Sequence, residues 1–174
     1  MLLHKKGWSD LHSVVILILL NCVMWTTVFL TADVKNKNAG SKESIEKNHI
    51  GFACSVNCMD GRAQDAVENY MKEHYGVKYV DMITEAGPNK ILAGGTDKAI
   101  IDDIQKRVEI SVHHHKSNVV AIAAHDGCAG NPVSKEEQII HLRKAKEKIE
   151  SFGLNVEVIM LYVPEGWEKA ELIE

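Results

Sequence analysis

The chain has 174 residues and a formal net charge of −4, enough for one domain with a substantial core and too few for two ordinary ones. Mild acidity without a basic stripe or a basic-aromatic patch argues against nucleic acid as a partner. Four cysteines, Cys22, Cys54, Cys58 and Cys128, do not make a disulfide scaffold in a chain that can build a core by other means.

Residues 14–32 are nearly all apolar, interrupted mainly by Asn21 and the pair Thr26-Thr27. That length is close to the span of a bilayer core. Lys5 and Lys6 precede the run and Lys35 and Lys37 follow it, so the basic flanks leave its orientation unset. Residues 1–35 are therefore expected to be a membrane anchor or a signal-like segment, and the chain is expected to be transmembrane. A signal peptide cleaved at Ala32 fits less well, because Leu30 is a poor match to the small-residue pattern of a cleavage site. A soluble domain with an extended N-terminus is the other alternative. The domain is membrane-associated if the segment is retained, and otherwise cytoplasmic or exported. Residues 36–48 are polar and lack apolar periodicity, which predicts a tether. The globular unit is expected over 49–174.

Within that unit, residues 50–57 read as a first strand ending at a Cys-Met-Asp-Gly-Arg turn. A helix follows over 62–75, with Val67, Tyr70, Met71 and His74 as its packing stripe and Gly76 as its stop. Residues 77–84 read as a second strand and Glu85-Ala86-Gly87-Pro88-Asn89 as a loop. Thr96 or Asp97 can cap the next helix, whose buried stripe is Ile100, Ile101, Ile104, Val108 and Val112. The run His113-His114-His115 falls at its end, where histidines favour the helix dipole. Residues 118–124 form a third strand leading into His125. Ser134 caps a helix that runs to about residue 152, and residues 156–163 form a fourth strand. The tail with Trp167 is left to pack or to meet another subunit. Alternating strands and helices predict a three-layer α/β/α fold with a mostly parallel central sheet of at least four strands.

Two strand ends carry the chemistry. Cys58-Met59-Asp60-Gly61-Arg62 follows the first strand and His125-Asp126-Gly127-Cys128 follows the third. Cys58, His125 and Cys128 supply a Cys2His set of zinc ligands, and two thiolates neutralise the ion's formal charge. Water in the fourth position would become hydroxide near neutral pH. Asp60 can accept that hydroxide's hydrogen bond, and Arg62 can pair with Asp60 to keep it ionised and off the metal. If Arg62 lets go, Asp60 can itself close the site. A closed structural zinc site is thus the competing reading.

These two motifs resemble those of the β-class carbonic anhydrases, which use Cys-x-Asp-x-Arg and a later His-x-x-Cys. The resemblance covers residues 49–163. It implies zinc held by Cys58, His125 and Cys128, with Asp60 and Arg62 as the catalytic dyad. It implies the reversible hydration of carbon dioxide to bicarbonate and a proton. It also implies a homodimer or higher homo-oligomer. Ala86 and Gly87 match the family's Arg-Asn-Ala-Gly-Asn segment, whereas the arginine is absent. Ala129-Gly130 stands where the family has paired glycines. A related small substrate such as carbonyl sulfide or carbon disulfide, or a non-catalytic zinc-stabilised interaction protein, would use the same ligands.

Overall fold

The structure, a computed structural model, describes residues 51–174. Among these residues the order is β1 (Phe52–Cys58), α1 (Gly61–Tyr75), β2 (Tyr79–Glu85), α2 (Pro88–Gly94), α3 (Lys98–His114), β3 (Val119–His125), α4 (Lys135–Glu150), β4 (Glu157–Val163) and β5 (Glu171–Ile173). The strands form one sheet in the order β2-β1-β3-β4-β5. The first four are parallel and β5 runs antiparallel to β4. This is the expected three-layer α/β/α fold.

Alternation along the strands divides the core in two, because successive side chains point to opposite faces. Cys54 and Val56 of β1, Val120 and Ile122 of β3, and Val158 and Met160 of β4 share one face with Leu92, Ile104, Val108, Leu142 and Ile149 of α2, α3 and α4. Ala53, Val119, Ala121, Ala123, Ile159 and Leu161 share the other with Ala63, Ala66, Val67 and Met71 of α1. Every residue of β3 is buried, as a central parallel strand covered on both faces requires. The chain steps one way from β1 to β2 and then the other way to β3 and β4. Crossovers of a single hand put α1 on the opposite face from the later helices.

That reversal lies between β1 and β3, and ligands of open α/β sheets bind at such a switch point beyond the strands' carboxyl ends. The pairing also opens there. β1 and β3 are in register only from Cys54↔Val120 to Val56↔Ile122, while β1–β2 and β3–β4 pair along the full strands.

Two short elements differ from expectation. The loop expected over residues 85–89 turns into α2, which Pro88 starts; seven residues are too few to show periodicity. The tail adds β5 to the sheet edge. The transmembrane expectation is corrected: among the described residues no helix is long and apolar enough to cross a membrane. The longest, α3, has 17 residues and carries Lys98, Asp102, Asp103 and Arg107, whereas a span needs about 20 apolar ones. Residues 14–32, on which that expectation fell, lie outside the described residues, as do Cys22 and the tether at 36–48.

Candidate metal centre

Three side chains from the switch point converge. Cys58 ends β1, His125 ends β3, and Cys128 follows in the next turn. One ligand atom from each lies within 4.8 Å of the others, and all three residues are buried. The sulfurs are 3.7 Å apart. A disulfide needs about 2.05 Å, and both thiols are free. Two sulfurs on a tetrahedral zinc at about 2.3 Å stand roughly 3.8 Å apart. The spacing therefore suits a shared metal ion.

His125 supplies the second test of fit. Its Nδ1 lies 2.8 Å from the Asp126 carbonyl, which selects the tautomer with the proton on Nδ1 and leaves the Nε2 lone pair free. Nε2 is buried without a hydrogen-bond partner. A buried imidazole nitrogen left unpaired is costly unless something else takes its lone pair. Three buried amide atoms are also unpaired, Asn89 Nδ2, Asn131 Oδ1 and Gln138 Oε1, but none of these is a usual zinc ligand.

The turn after Cys58 is pinned from several sides. Gln64, one turn into α1, donates to the Cys58 carbonyl at 2.7 Å and the Asp60 carbonyl at 2.9 Å. Asn57 donates to Gln64 Oε1 at 2.8 Å, and the Met59 N–H donates to the Glu85 carbonyl at 2.8 Å. The His125 carbonyl accepts from the buried Gln138 at 2.9 Å. The Asp126 N–H ties the second loop to Val163 at the end of β4. The sequence motifs did not single out Asn57, Gln64 or Gln138. Only Gln64 carried a signal, since its helical spacing from Asp60 turns it back on the ligand loop.

Asp60 caps α1 and is bound twice over by Arg62. Its Oδ1 accepts from the Arg62 N–H and Nε, both at 3.0 Å, and its Oδ2 accepts from Nη2 at 2.7 Å. The Arg62 side chain and then its backbone N–H hold the Asp60 carboxyl down at about 2. The side-chain hydrogen bonds to Asp60 in turn raise the guanidinium above its ordinary value. Asp60 does not belong to the three-residue cluster.

Two further features close around the centre. The backbones of Ala86-Gly87 and Gly130-Asn131 touch: a Cβ on Gly130 would lie 2.5 Å from the Ala86 carbonyl carbon, and one on Gly87 2.6 Å from that of Gly130. Only glycine permits this approach. Trp167 was left open by the sequence. Its ring lies 4.0 Å from the Arg62 guanidinium carbon and 5.4 Å from the His125 ring, centroid to centroid. Its φ is 61°, a left-handed conformation that costs a side-chain-bearing residue roughly 1–2 kcal/mol.

The family described as "Putative carbonic anhydrase" matches residues 48–173. Among solved structures, the chain is similar to β-carbonic anhydrase isoform I of Trichomonas vaginalis, at 15% identity and a TM-score of 0.47, over 80% of this chain and 96% of that one. It is also similar to a β-carbonic anhydrase of Aspergillus fumigatus, at 16% identity and a TM-score of 0.41, over 84% and 90%. A tetrameric β-carbonic anhydrase of Sordaria macrospora gives 13% identity and a TM-score of 0.43, over 85% and 97%. No curated protein matches the chain.

Proposed function

The chain belongs to the family described as "Putative carbonic anhydrase", and on that premise we propose that it catalyses the reversible hydration of carbon dioxide to bicarbonate and a proton, using zinc held by Cys58, His125 and Cys128. The observation that carries the reading is the cluster of two free sulfurs 3.7 Å apart beside an unpaired, buried His125 Nε2. Zinc bound there would supply Lewis acidity, which makes water a nucleophile near neutral pH.

The chain's own residues do the rest. The Asp126 carbonyl fixes the His125 ring so that Nε2 faces the centre. Arg62 keeps Asp60 ionised and outside the ligand set, which leaves room for a small molecule. An ionised carboxylate has about four lone-pair sites. Arg62 uses two on Oδ1 and one on Oδ2. The remaining Oδ2 site can accept a hydrogen bond from the attacking oxygen and turn that oxygen's lone pair toward the carbon of carbon dioxide. The new C–O bond forms as a C=O electron pair moves onto oxygen, and the water's other proton leaves to buffer. Residues 49–174 form the zinc domain in this reading. It assembles as a homodimer or larger oligomer, for which the exposed Met59 beside the ligands offers an apolar contact.

Stopped-flow carbon dioxide hydration, with zinc content measured on the same samples, tests the proposal. Asp60→Ala is expected to lower the rate by about 100-fold or more while zinc stays bound. A zinc-loaded wild-type chain with no rate above buffer would overturn it.

A further inference from the structure

The segment between β4 and β5 has no assigned role, yet it reaches the metal centre. After Pro164 the chain turns sharply: the Trp167 N–H donates to the Pro164 carbonyl at 3.2 Å, and Gly166 and Trp167 both have positive φ, 99° and 61°. Beyond the turn, β5 locks onto β4 from Met160↔Ile173 to Tyr162↔Glu171. The turn is thus held at both ends, and a strained backbone aims the indole. Its face meets the Arg62 guanidinium at 4.0 Å. Its edge lies over Gly127, where an added Cβ would sit 3.9 Å from Trp167 Cη2. A strained conformation persists only where surrounding structure over-determines it.

We propose that Trp167 is a positioning residue that clamps Arg62, and through Arg62 keeps Asp60 out of the fourth ligand position. The Arg62 side chain is 54% exposed, and its hydrogen bonds to Asp60 come from a flexible stem on the first turn of α1. Without a second partner the guanidinium can swing into solvent. The indole supplies that partner through its negative face. Asp60 released from Arg62 is an anion two residues from Cys58, able to bind the ion and close the site. The inference rests on the zinc reading proposed above, and it concerns what keeps that site open.

Cobalt-substituted full-length protein titrated with azide tests it, because an added anion changes the visible cobalt spectrum only where a ligand position is open. Wild type is expected to respond. Trp167→Leu keeps apolar bulk and loses the aromatic face. It is expected to bind cobalt fully but to need about two- to five-fold more azide, the factor that a cation–π contact to a half-exposed guanidinium corresponds to. Trp167→Phe should bring the azide affinity back above that of Trp167→Leu and toward wild type, since it returns the ring. The double variant Trp167→Leu with Asp60→Ala should restore it too, because the competing carboxylate is gone. A Trp167→Leu protein with wild-type azide affinity would overturn the clamp alone. So would a double variant that stays closed. A wild-type protein that binds cobalt without any azide response would overturn the open-site reading and the clamp with it.

Discussion

Each end of the parallel sheet holds a histidine, and only one end has the chemistry of a site. At the end where the strands begin, His115 Nδ1 lies 2.7 Å from Asp81 Oδ2, with the two side chains 42% and 26% exposed. The Phe52 ring packs 4.5 Å from the same imidazole. Water reaches this pair, and each partner answers the other. At the end where the strands finish, His125 is 1% exposed and its Nε2 has no partner. Solvated groups can satisfy themselves, so their proximity says little. A buried group with an open valence demands an explanation. The cysteines divide in the same way. Cys58 and Cys128 meet at the open switch point, while Cys54 is sealed in the sheet beside Asp81 in the register.

The sharpest way to break this contrast is to remove each histidine in turn. His125→Ala is expected to lower bound zinc from about one ion per chain to under about a tenth, because it leaves two protein ligands where three or four are normal. His115→Ala should keep its zinc and change stability by less than about 1 kcal/mol, the scale of an exposed ion pair. Metal analysis and urea unfolding of the two variants decide the matter. Equal zinc loss in both would erase the distinction.

A smaller effect is expected from Gly130→Ala. The added methyl meets the Ala86 carbonyl carbon at 2.5 Å, and backbone on backbone cannot step aside as a side chain would. The expected cost is about 1–3 kcal/mol of stability, read as a lower urea midpoint at unchanged slope. The site end of the molecule depends on this backbone contact. The His115 end rests on side chains that can move.

Much of this difference was legible in the sequence, for reasons particular residues show. The buried stripe of α3, with Ile101, Ile104 and Val108 fully inside, announces itself because a 3.6-residue period repeats several times. Asp97 and Ser134 cap their helices through side chains whose chemistry is local. Cys58, His125 and Cys128 stood out because ligand types fell at strand ends, and strand ends of parallel sheets gather in space. What could not be read depends on distant parts of the chain meeting. Gly130 looks like any loop glycine until Ala86 lies against it. Trp167 lies 105 positions beyond Arg62, and no spacing rule joins them. His74 looked like part of the α1 stripe, yet it is exposed and stacks on Tyr70 at 3.9 Å. Spacing alone could not tell a sheet-facing position from the solvent edge of the same stripe.

The subtlest expected effect concerns the third cysteine. Burial, as the main cause, pushes the Cys54 thiol from an ordinary 9.0 up to about 12; Asp81 adds to the rise and a hydrogen bond from Ser111 offsets part of it. The folded chain therefore keeps this proton at a pH where the unfolded chain has lost it. Stability depends on the difference in bound protons, and it falls with rising pH wherever the folded state binds more. The Cys54 contribution is thus complete below 9.0 and is lost as pH climbs toward about 12. Tyr75 and Tyr162, each raised from 10.0 to about 12 chiefly by burial, act in the same direction from 10.0 upward. Urea unfolding of wild type and Cys54→Ala at a series of pH values separates them. The advantage of wild type over the variant should shrink steadily from about pH 9 to pH 11, because only the wild type has this proton to lose. In the same window an alkylating reagent should leave folded Cys54 unmodified, as the thiolate is the reactive form. A constant difference between the two proteins across that range would show that Cys54 ionises as freely inside the sheet as outside it.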